Sequence, residues 1–250
     1  MNTKWIPPLD WVETYTFYLV FKLICYVSYK VSKALAGISI VTTTYNECEY
    51  VRPFVERVRR AMSGINHEII IVDDCSTDGT YELALRYADK ALLVKRVGQT
   101  RGLLEGIRAS SYPIVVTLDV DLENPPELIP VLVKEFIDKG YDLLIASRLW
   151  LPRVSERLAS AILGRIIGVH DVFSNFRVYK RDLFKGVKLV LGETFGAELL
   201  VYAWRKGYRI GEYFYDPPPR RVRPRIGGRL KANVRITYAM LKTLLYTLCS

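Results

Sequence analysis

Three carboxylates at alternate positions follow an apolar run near the middle of the chain. Asp119, Asp121 and Glu123 come directly after residues 115–118, and Asn124 with two prolines then ends the extended segment. Alternate side chains of a strand point to the same side, so the pattern predicts that the three carboxylates face one point. Carboxylate oxygens gathered in this way suit Mg²⁺ or Mn²⁺ bound together with phosphate oxygens. The alternative is an acidic surface turn, which an isolated Asp-x-Asp favours.

Alternating strands and helices over residues 38–147 predict an α/β fold with a mostly parallel, doubly wound sheet. Ligands bind such sheets at the carboxyl ends of the strands. Strands are predicted at 38–43, 68–72, 91–94, 113–119 and 141–147. The polar clusters that follow them are 44–47, 73–80, 98–102, the three carboxylates and Arg148. Five polar clusters after five strands favour a binding site over a surface turn.

The second half of the sequence has a less regular pattern. Helical spacing predicts helices at 156–168, 198–206 and 234–248, and strand character is found at 171–179 and 208–215. The last helix is about 15 residues long, which is short for a membrane crossing, so an interfacial or packed helix is expected.

The formal net charge of +10 indicates an anionic partner, which could be nucleic acid, a phosphorylated substrate or an anionic membrane surface. Residues 220–235 concentrate this charge in a proline-stiffened segment without interleaved aromatic side chains. Stacking aromatics are typical of nucleic-acid binding, so the segment favours lipid headgroups and a lipid phosphate instead. No nucleic-acid partner is predicted.

The four cysteines are scattered without Cys-x-x-Cys spacing, and the chain has two histidines. This composition argues against a zinc site and against a disulfide framework, and it favours a reducing compartment. The first residues lack a basic segment followed by a compact apolar core, so no cleavable signal peptide is predicted.

Residues 11–36 are rich in aromatic and apolar side chains, but Lys22 stands near their centre. The segment is long enough to cross a bilayer, whereas the lysine costs about 3 kcal/mol there, so spanning and interfacial arrangements both stay open. Membrane attachment is expected, with the catalytic part facing the cytoplasm. Three segments are predicted: a membrane-associated helix at 1–36, a catalytic domain at 37–232 and an interfacial helix at 233–250.

Six motifs in order resemble those of the family 2 glycosyltransferases of GT-A fold, most closely the dolichol-phosphate mannose synthase branch. They are I-V-T-T-T-Y-N-E from residue 40, V-D-D-C-S-T-D-G-T from 72, L-D-V-D-L-E-N-P-P-E from 118, I-A-S-R from 145, D-V-F-S-N-F-R from 171 and R-I-G-G-R-L-K from 225. Four positions depart from the usual pattern: Thr43 replaces proline, Glu123 an amide, Asn175 glycine and Leu230 serine.

The resemblance implies a GT-A, Rossmann-like domain and a role for each motif. The donor nucleoside would be held by Thr44, Tyr45, Glu47, Asp73, Asp74 and Asp119. A Mn²⁺ or Mg²⁺ ion would be bound by Asp119, Asp121 and Glu123, with Asp121 and Arg148 as catalytic residues. An acceptor phosphate would be bound by Arg148, Arg157, Ser160, Arg225 and Lys231.

The implied activity is inverting transfer of a hexose, with mannose from GDP-mannose favoured, to a polyprenyl (dolichyl) phosphate or a dolichol-linked glycan. A phosphate acceptor needs cations and no general base, whereas a hydroxyl acceptor would need a base such as Glu193, Glu198 or Asp171. The alternatives are a processive cellulose-synthase-like polymerase, a UDP-glucose-dependent polyprenyl-phosphate glucosyltransferase, and a protein that only binds nucleic acid or a nucleotide sugar.

Overall fold

The computed structural model describes residues 37–218 and 228–248, with side chains described from residue 233 onward in the last segment. The predicted membrane segment at 1–36 and the side chains of Arg225 and Lys231 lie outside this description.

A seven-stranded sheet, mostly parallel, forms the centre of the described fold. Its strands are β1 (Ile38–Thr44), β2 (His67–Asp73), β3 (Lys90–Leu93), β4 (Ile114–Thr117), β5 (Leu143–Arg148), β6 (Arg177–Lys180) and β7 (Ile210–Tyr215). The order across the sheet is β3-β2-β1-β4-β6-β5-β7, and β6 runs antiparallel to both of its neighbours. The predicted α/β class with a mostly parallel sheet is confirmed.

Helices cover both faces of the sheet. The α-helices are α1 (Cys48–Ala61), α2 (Thr80–Tyr87), α3 (Gln99–Ala109), α4 (Ile129–Lys139), α5 (Val154–Ala159), α6 (Arg165–Ile167), α7 (Ala197–Arg205) and α8 (Gly228–Leu248). A 3₁₀ turn at Pro126–Leu128 precedes α4, and a π turn at Ser160–Gly164 joins α5 to α6. The helix predicted at 156–168 is therefore interrupted, and it begins two residues earlier than expected.

Helix α3 lies close against the sheet because glycine stands where it crosses β1. A Cβ atom on Gly106 would collide with the Val41 side chain, and one on Gly102 would lie 2.9 Å from Thr43 Cγ2. This close approach brings the first turn of α3, with Gln99 and Thr100, to the carboxyl end of β1.

Two predicted strands are longer in the sequence pattern than in the structure. The strand predicted at 113–119 ends at Thr117, and the one at 171–179 begins only at Arg177. Thr117 and Arg177 form the last pair of the antiparallel β4–β6 ladder. The carboxylates therefore lie in a loop past the strand.

Helix α8 packs on α5 and α7 through one face, where Ile236, Ala239 and Met240 are buried. Its opposite face leaves an exposed row of side chains at Val234, Tyr238, Leu241, Leu245 and Leu248. Among the described residues, none of the helices combines the length and hydropathy needed to cross a bilayer.

Candidate active site

The carboxyl ends of four parallel strands surround a cavity of about 1160 Å³. Its wall includes Thr44 at the end of β1, Asp74 after β2, Asp119 after β4 and Arg148 at the end of β5. The polar residues that follow separate strands in the sequence thus meet at one edge of the sheet.

Asp73 lies behind the cavity wall and holds two loops together. Its carboxylate accepts hydrogen bonds from Thr44 Oγ1 at 2.9 Å and from both the amide and the hydroxyl of Ser76, at 2.8 and 2.6 Å. The residue is fully buried and does not line the cavity. In this arrangement Asp73 shapes the predicted nucleoside site through Thr44.

Asp74, by contrast, lines the cavity and fixes the loop that leads into α3. Its two oxygens accept hydrogen bonds from the amides of Val97 at 2.6 Å and Gly98 at 3.1 Å. The side chain therefore fixes the position of this loop relative to the end of β2.

Tyr45 stands at the mouth of the cavity with 44% of its surface exposed. The Arg96 guanidinium lies over its ring, 3.7 Å from the centroid, which is a cation–π contact. Glu47 is buried nearby, and its Oε2 accepts a hydrogen bond from the Tyr45 amide at 3.3 Å. The ring and the carboxylate give this end of the cavity a flat face and a polar rim.

Asp119 is enclosed by two side-chain amides. Gln99 Nε2 donates to its Oδ1 at 2.7 Å, and the Asn175 side chain lies close enough to lower the pKa of Asp119. Burial raises the pKa of Asp119, and the negative charge of Glu123 raises it further, against the opposing effects of Arg148 and the two amides. This carboxylate would be stabilised in its charged form by an added cation.

The loop after Asp119 turns instead of staying extended, which corrects the alternate-face argument. Leu122 has a φ of 61°, a left-handed conformation, and Asp121 Oδ1 accepts a hydrogen bond from the Glu123 amide at 3.1 Å. All three carboxylates line the cavity. Within the described residues, however, no three acidic, histidine or cysteine side chains are arranged as a metal-ion site.

The charge of the cavity wall nevertheless fits a divalent cation. In its described part the wall carries nine carboxylates and four basic side chains. The carboxylates belong to Glu47, Glu49, Asp74, Asp119, Asp121, Glu123, Glu156, Glu193 and Asp216, and the cations to Arg148, Arg153, Arg235 and Lys242. Such a wall repels a diphosphate unless cations intervene, and hard oxygen ligands suit Mg²⁺ or Mn²⁺.

Arg148 is held by carboxylates on two sides. Asp171 lies 2.7 Å from its Nε, and Glu156 lies 3.8 Å from its Nη2 while also pairing with Arg153 at 2.6 Å. Burial opposes the charge of Arg148, but Asp171 outweighs it and raises the pKa above its ordinary value. The guanidinium is thus permanently charged, fixed in direction and largely neutralised by its neighbours.

A sequence model of glycosyl transferase family 2 matches residues 39–182, which is more than half of the chain. The chain belongs to this family. Its predicted family membership is therefore confirmed.

The curated relatives of this family 2 chain include transferases named for polyprenyl phosphates. A dodecaprenyl-phosphate galacturonate synthase from Rhizobium johnstonii is 35% identical over 70% of this chain and 57% of its own length. A dolichol-phosphate mannosyltransferase from Pyrococcus furiosus is 30% identical over 80% of this chain and 61% of its own length. The chain thus spans about three fifths of the length of these relatives.

Solved structures support the GT-A-like fold. Glucosyl-3-phosphoglycerate synthase from Mycobacterium tuberculosis, crystallised with Mn²⁺, UDP and glucosyl-3-phosphoglycerate, has a TM-score of 0.71 at 23% identity, covering 87% of this chain and 82% of its own. The same enzyme with Mg²⁺ and UDP gives a TM-score of 0.72 at 24% identity, covering 87% and 81%. At this identity the likeness concerns the fold alone.

The predicted acceptor-phosphate residues of the family 2 chain are spread over different places. Arg148 lines the cavity, whereas Arg157 is exposed on α5 and does not. Ser160 Oγ lies 3.4 Å from His170 Nδ1, also outside the cavity wall. Arg225 and the Lys231 side chain lie outside the described residues. The structure therefore brings one of the described candidates to the cavity and leaves Arg157 and Ser160 away from it.

The carboxylates considered as general bases are engaged in holding the fold. Asp171 is committed to Arg148, and Glu193 accepts hydrogen bonds from the hydroxyl of Thr100 at 2.6 Å and its amide at 3.2 Å. Glu198 accepts from the Val190 amide at 2.6 Å, and burial raises its pKa. These contacts favour an acceptor that needs no base.

Several cavity residues were given no role by the sequence interpretation, and all of them except Asn175 lie outside the six motifs. They are Gln99, Arg153, Asn175, Arg235, Tyr238 and Lys242. A signal existed for Asn175, which departs from the family glycine. Arg235 and Lys242 stand in a helix that was interpreted only by its apolar pattern.

Proposed function

We propose that the chain is an inverting glycosyltransferase that moves a sugar from a nucleotide donor to a polyprenyl phosphate. The observation that carries this proposal is the cavity at the strand ends, whose wall carries Asp119 and Asp121 together with Arg148 and Arg153. The printed names of the two relatives above support the lipid phosphate as acceptor.

Donor binding is assigned to the β1 and β2 strand ends. Tyr45 offers a ring face, and Thr44 and Asp74 offer polar atoms for the base and ribose. Asp121, with Asp119 and Glu123 beside it, would hold the divalent ion. When bound, this ion neutralises the diphosphate and stabilises it as a leaving group.

The transfer step needs no proton acceptor, since a phosphate monoester is already anionic near neutral pH. A phosphate oxygen forms a bond to the anomeric carbon, and the bond from that carbon to the diphosphate breaks. The bonding electron pair leaves with the nucleoside diphosphate, and the configuration inverts. Arg148, fixed by Asp171, and Arg153, fixed by Glu156, would supply donors to the acceptor phosphate from the cavity wall.

The exposed aromatic and aliphatic side chains beside the cavity suit contact with a membrane surface. Trp150 is 78% exposed and lines the cavity together with Tyr238 of α8, next to the exposed row Leu241, Leu245 and Leu248. Aromatic and aliphatic side chains in this arrangement suit the headgroup region of a bilayer, where a lipid phosphate would be presented. The predicted cytoplasmic orientation remains part of the proposal.

The decisive experiment combines the full chain with Mn²⁺, a polyprenyl phosphate and radiolabelled nucleotide sugars, followed by lipid extraction. The panel contains GDP-mannose, the donor favoured by the sequence, as well as UDP-glucose and UDP-galacturonate. We expect label in the lipid phase with one donor, and an Asp121→Ala variant without it. The matched control is Asp138→Ala, which removes an exposed carboxylate of α4. Absence of transfer with every donor, or full transfer by Asp121→Ala, would overturn the proposal.

A further inference from the structure

Asn175 faces Asp119 because of the antiparallel register between β4 and β6. The ladder pairs Thr117 with Arg177, so two residues beyond its last pair stand Asp119 and Asn175. Thr117 Oγ1 donates to the Asn175 carbonyl at 2.6 Å and fixes the backbone at this point. The register therefore places Asn175 opposite Asp119, and both residues line the cavity.

The Asn175 side chain fills a narrow space in the cavity wall. It is only 6% exposed, and on one side it stands opposite Asp119 in the register of β4 and β6. On the other side it lies against the backbone of Gly196, where an added Cβ would be 2.5 Å from Asn175 Oδ1. Gly196 thus leaves the room that the amide occupies.

Stability of the fold does not account for this asparagine. Its Oδ1 is buried and has no hydrogen-bond partner among the described residues. A buried acceptor without a partner opposes folding, so it is kept in proteins mainly where it serves a site. The related family motif has glycine here, which would leave the space beside Asp119 open to the cavity.

We infer that Asn175 limits the size of the glycosyl group that the donor can place beside Asp119. The inference rests on the proposed function, since it assigns a specificity role within the same cavity. Replacing the side chain by hydrogen joins the space between Asp119 and Gly196 to the cavity. Donors with a larger sugar then gain relative to donors with a smaller one.

The test compares wild type with Asn175→Gly, which opens the space, and Asn175→Leu, which keeps the branched shape but removes the amide. Calorimetric titration in Mn²⁺ measures Kd for two pairs of probes, UDP-glucose with UDP-N-acetylglucosamine and GDP-6-deoxy-D-mannose with GDP-mannose. UDP and GDP serve as references without a sugar. The second control, Gln99→Met, removes the hydrogen bond from Gln99 to Asp119 and leaves position 175 filled.

We expect Asn175→Gly to shift the Kd ratio within the bound pair about tenfold toward the larger sugar, as a pocket enlarged by a few atoms does. Asn175→Leu and Gln99→Met should keep the wild-type ratio. An unchanged ratio in Asn175→Gly, or the same shift in Asn175→Leu or Gln99→Met, would overturn the inference. In that case the proposed function still stands if wild type binds UDP or GDP. If wild type binds no nucleotide, the proposed function fails and the inference with it.

Discussion

Both carboxylate oxygens of Asp171 accept hydrogen bonds from the Arg148 guanidinium, at 2.7 Å from Nε and 3.0 Å from Nη2. The Asp171 side chain is 1% exposed and that of Arg148 is 15% exposed, so neither charge is well solvated. The pair joins the end of β5 to the loop before β6, and it fixes Arg148, which lines the cavity whereas Arg157, the other described arginine of the predicted phosphate site, does not.

Replacing Asp171 by asparagine should therefore destabilise the fold. The change leaves a buried guanidinium with a weaker partner, and breaking a buried pair from one side costs about 3–5 kcal/mol. Urea denaturation gives the free energy of unfolding. Asp138→Asn, which disrupts the exposed Lys134–Asp138 pair, should leave it nearly unchanged. An equal effect of the two substitutions would contradict the buried pair.

Arg235→Ala should weaken use of the lipid phosphate, because this exposed arginine of α8 lines the cavity. We expect the KM for polyprenyl phosphate to rise roughly tenfold, corresponding to loss of one charge-assisted contact, with little change in the KM for the donor. The matched control is Arg157→Ala, an exposed arginine of α5 outside the cavity wall. A larger effect at Arg157 would restore the acceptor site expected from the sequence.

Glu123→Gln introduces the amide of the family motif that residues 118–127 resemble. Loss of one carboxylate charge beside Asp119 and Asp121 should weaken Mn²⁺ binding about tenfold in the presence of nucleotide, because charge count tunes the affinity for hard cations. Electron paramagnetic resonance measures free Mn²⁺ during the titration. Glu127→Gln, a change at an exposed glutamate paired with Arg57 outside the cavity, supplies the comparison. Identical Mn²⁺ affinities for Glu123→Gln and wild type would show that Glu123 takes no part.

The stability of the chain in acid should depend on Glu68. Burial opposes its charge, but hydrogen bonds from Ser39 and Ser111 together with Lys90 outweigh burial and lower its pKa. The charged form therefore stabilises the fold above the ordinary glutamate pKa of about 4.3, and this contribution is lost as the pH falls through the lower folded value. Urea denaturation should show a steeper loss below about pH 4.3 in wild type than in Glu68→Gln.

Glu198 supplies the opposite case for the same measurement. Burial raises its pKa, so the folded state binds its proton more tightly than the unfolded state does. Its contribution is present at low pH and is lost as the pH rises through the raised value. The free energy of unfolding of wild type should therefore fall as the pH rises above the ordinary glutamate pKa. In Glu198→Gln this fall should be absent. If Glu68→Gln and Glu198→Gln changed the pH dependence of stability in the same direction, one of the two pKa shifts would be wrong.

Periodicity and strand-end chemistry were enough to predict the parallel half of the fold. Apolar runs such as residues 38–43 and 68–72 have the length and composition of buried strands. The loops that follow them carry Thr44 and Asp74. Because parallel strands direct their carboxyl ends to one edge, the meeting of these residues follows from the fold class.

The sequence could not predict which side chains satisfy one another around the cavity. Residues 171–176 have the composition of a strand, yet they form a loop in which Asp171 pairs with Arg148. Local composition could not predict this pair because its two members are distant in sequence. Leu122 adopts a left-handed backbone conformation, which a leucine in the sequence does not predict. The alternation of Asp119, Asp121 and Glu123 was therefore misread as an extended strand.

The position of β6 has a consequence for the order in which a nascent chain acquires its fold. β4 and β5 both leave the ribosome before residues 177–180, and β6 is the strand that lies between them in the finished sheet. Until it arrives, two open strand edges face each other, a state prone to wrong pairing. The same insertion carries Asn175 to Asp119, so filling the gap between β4 and β5 and bringing these two residues together are one event, which precedes the synthesis of β7 and α8.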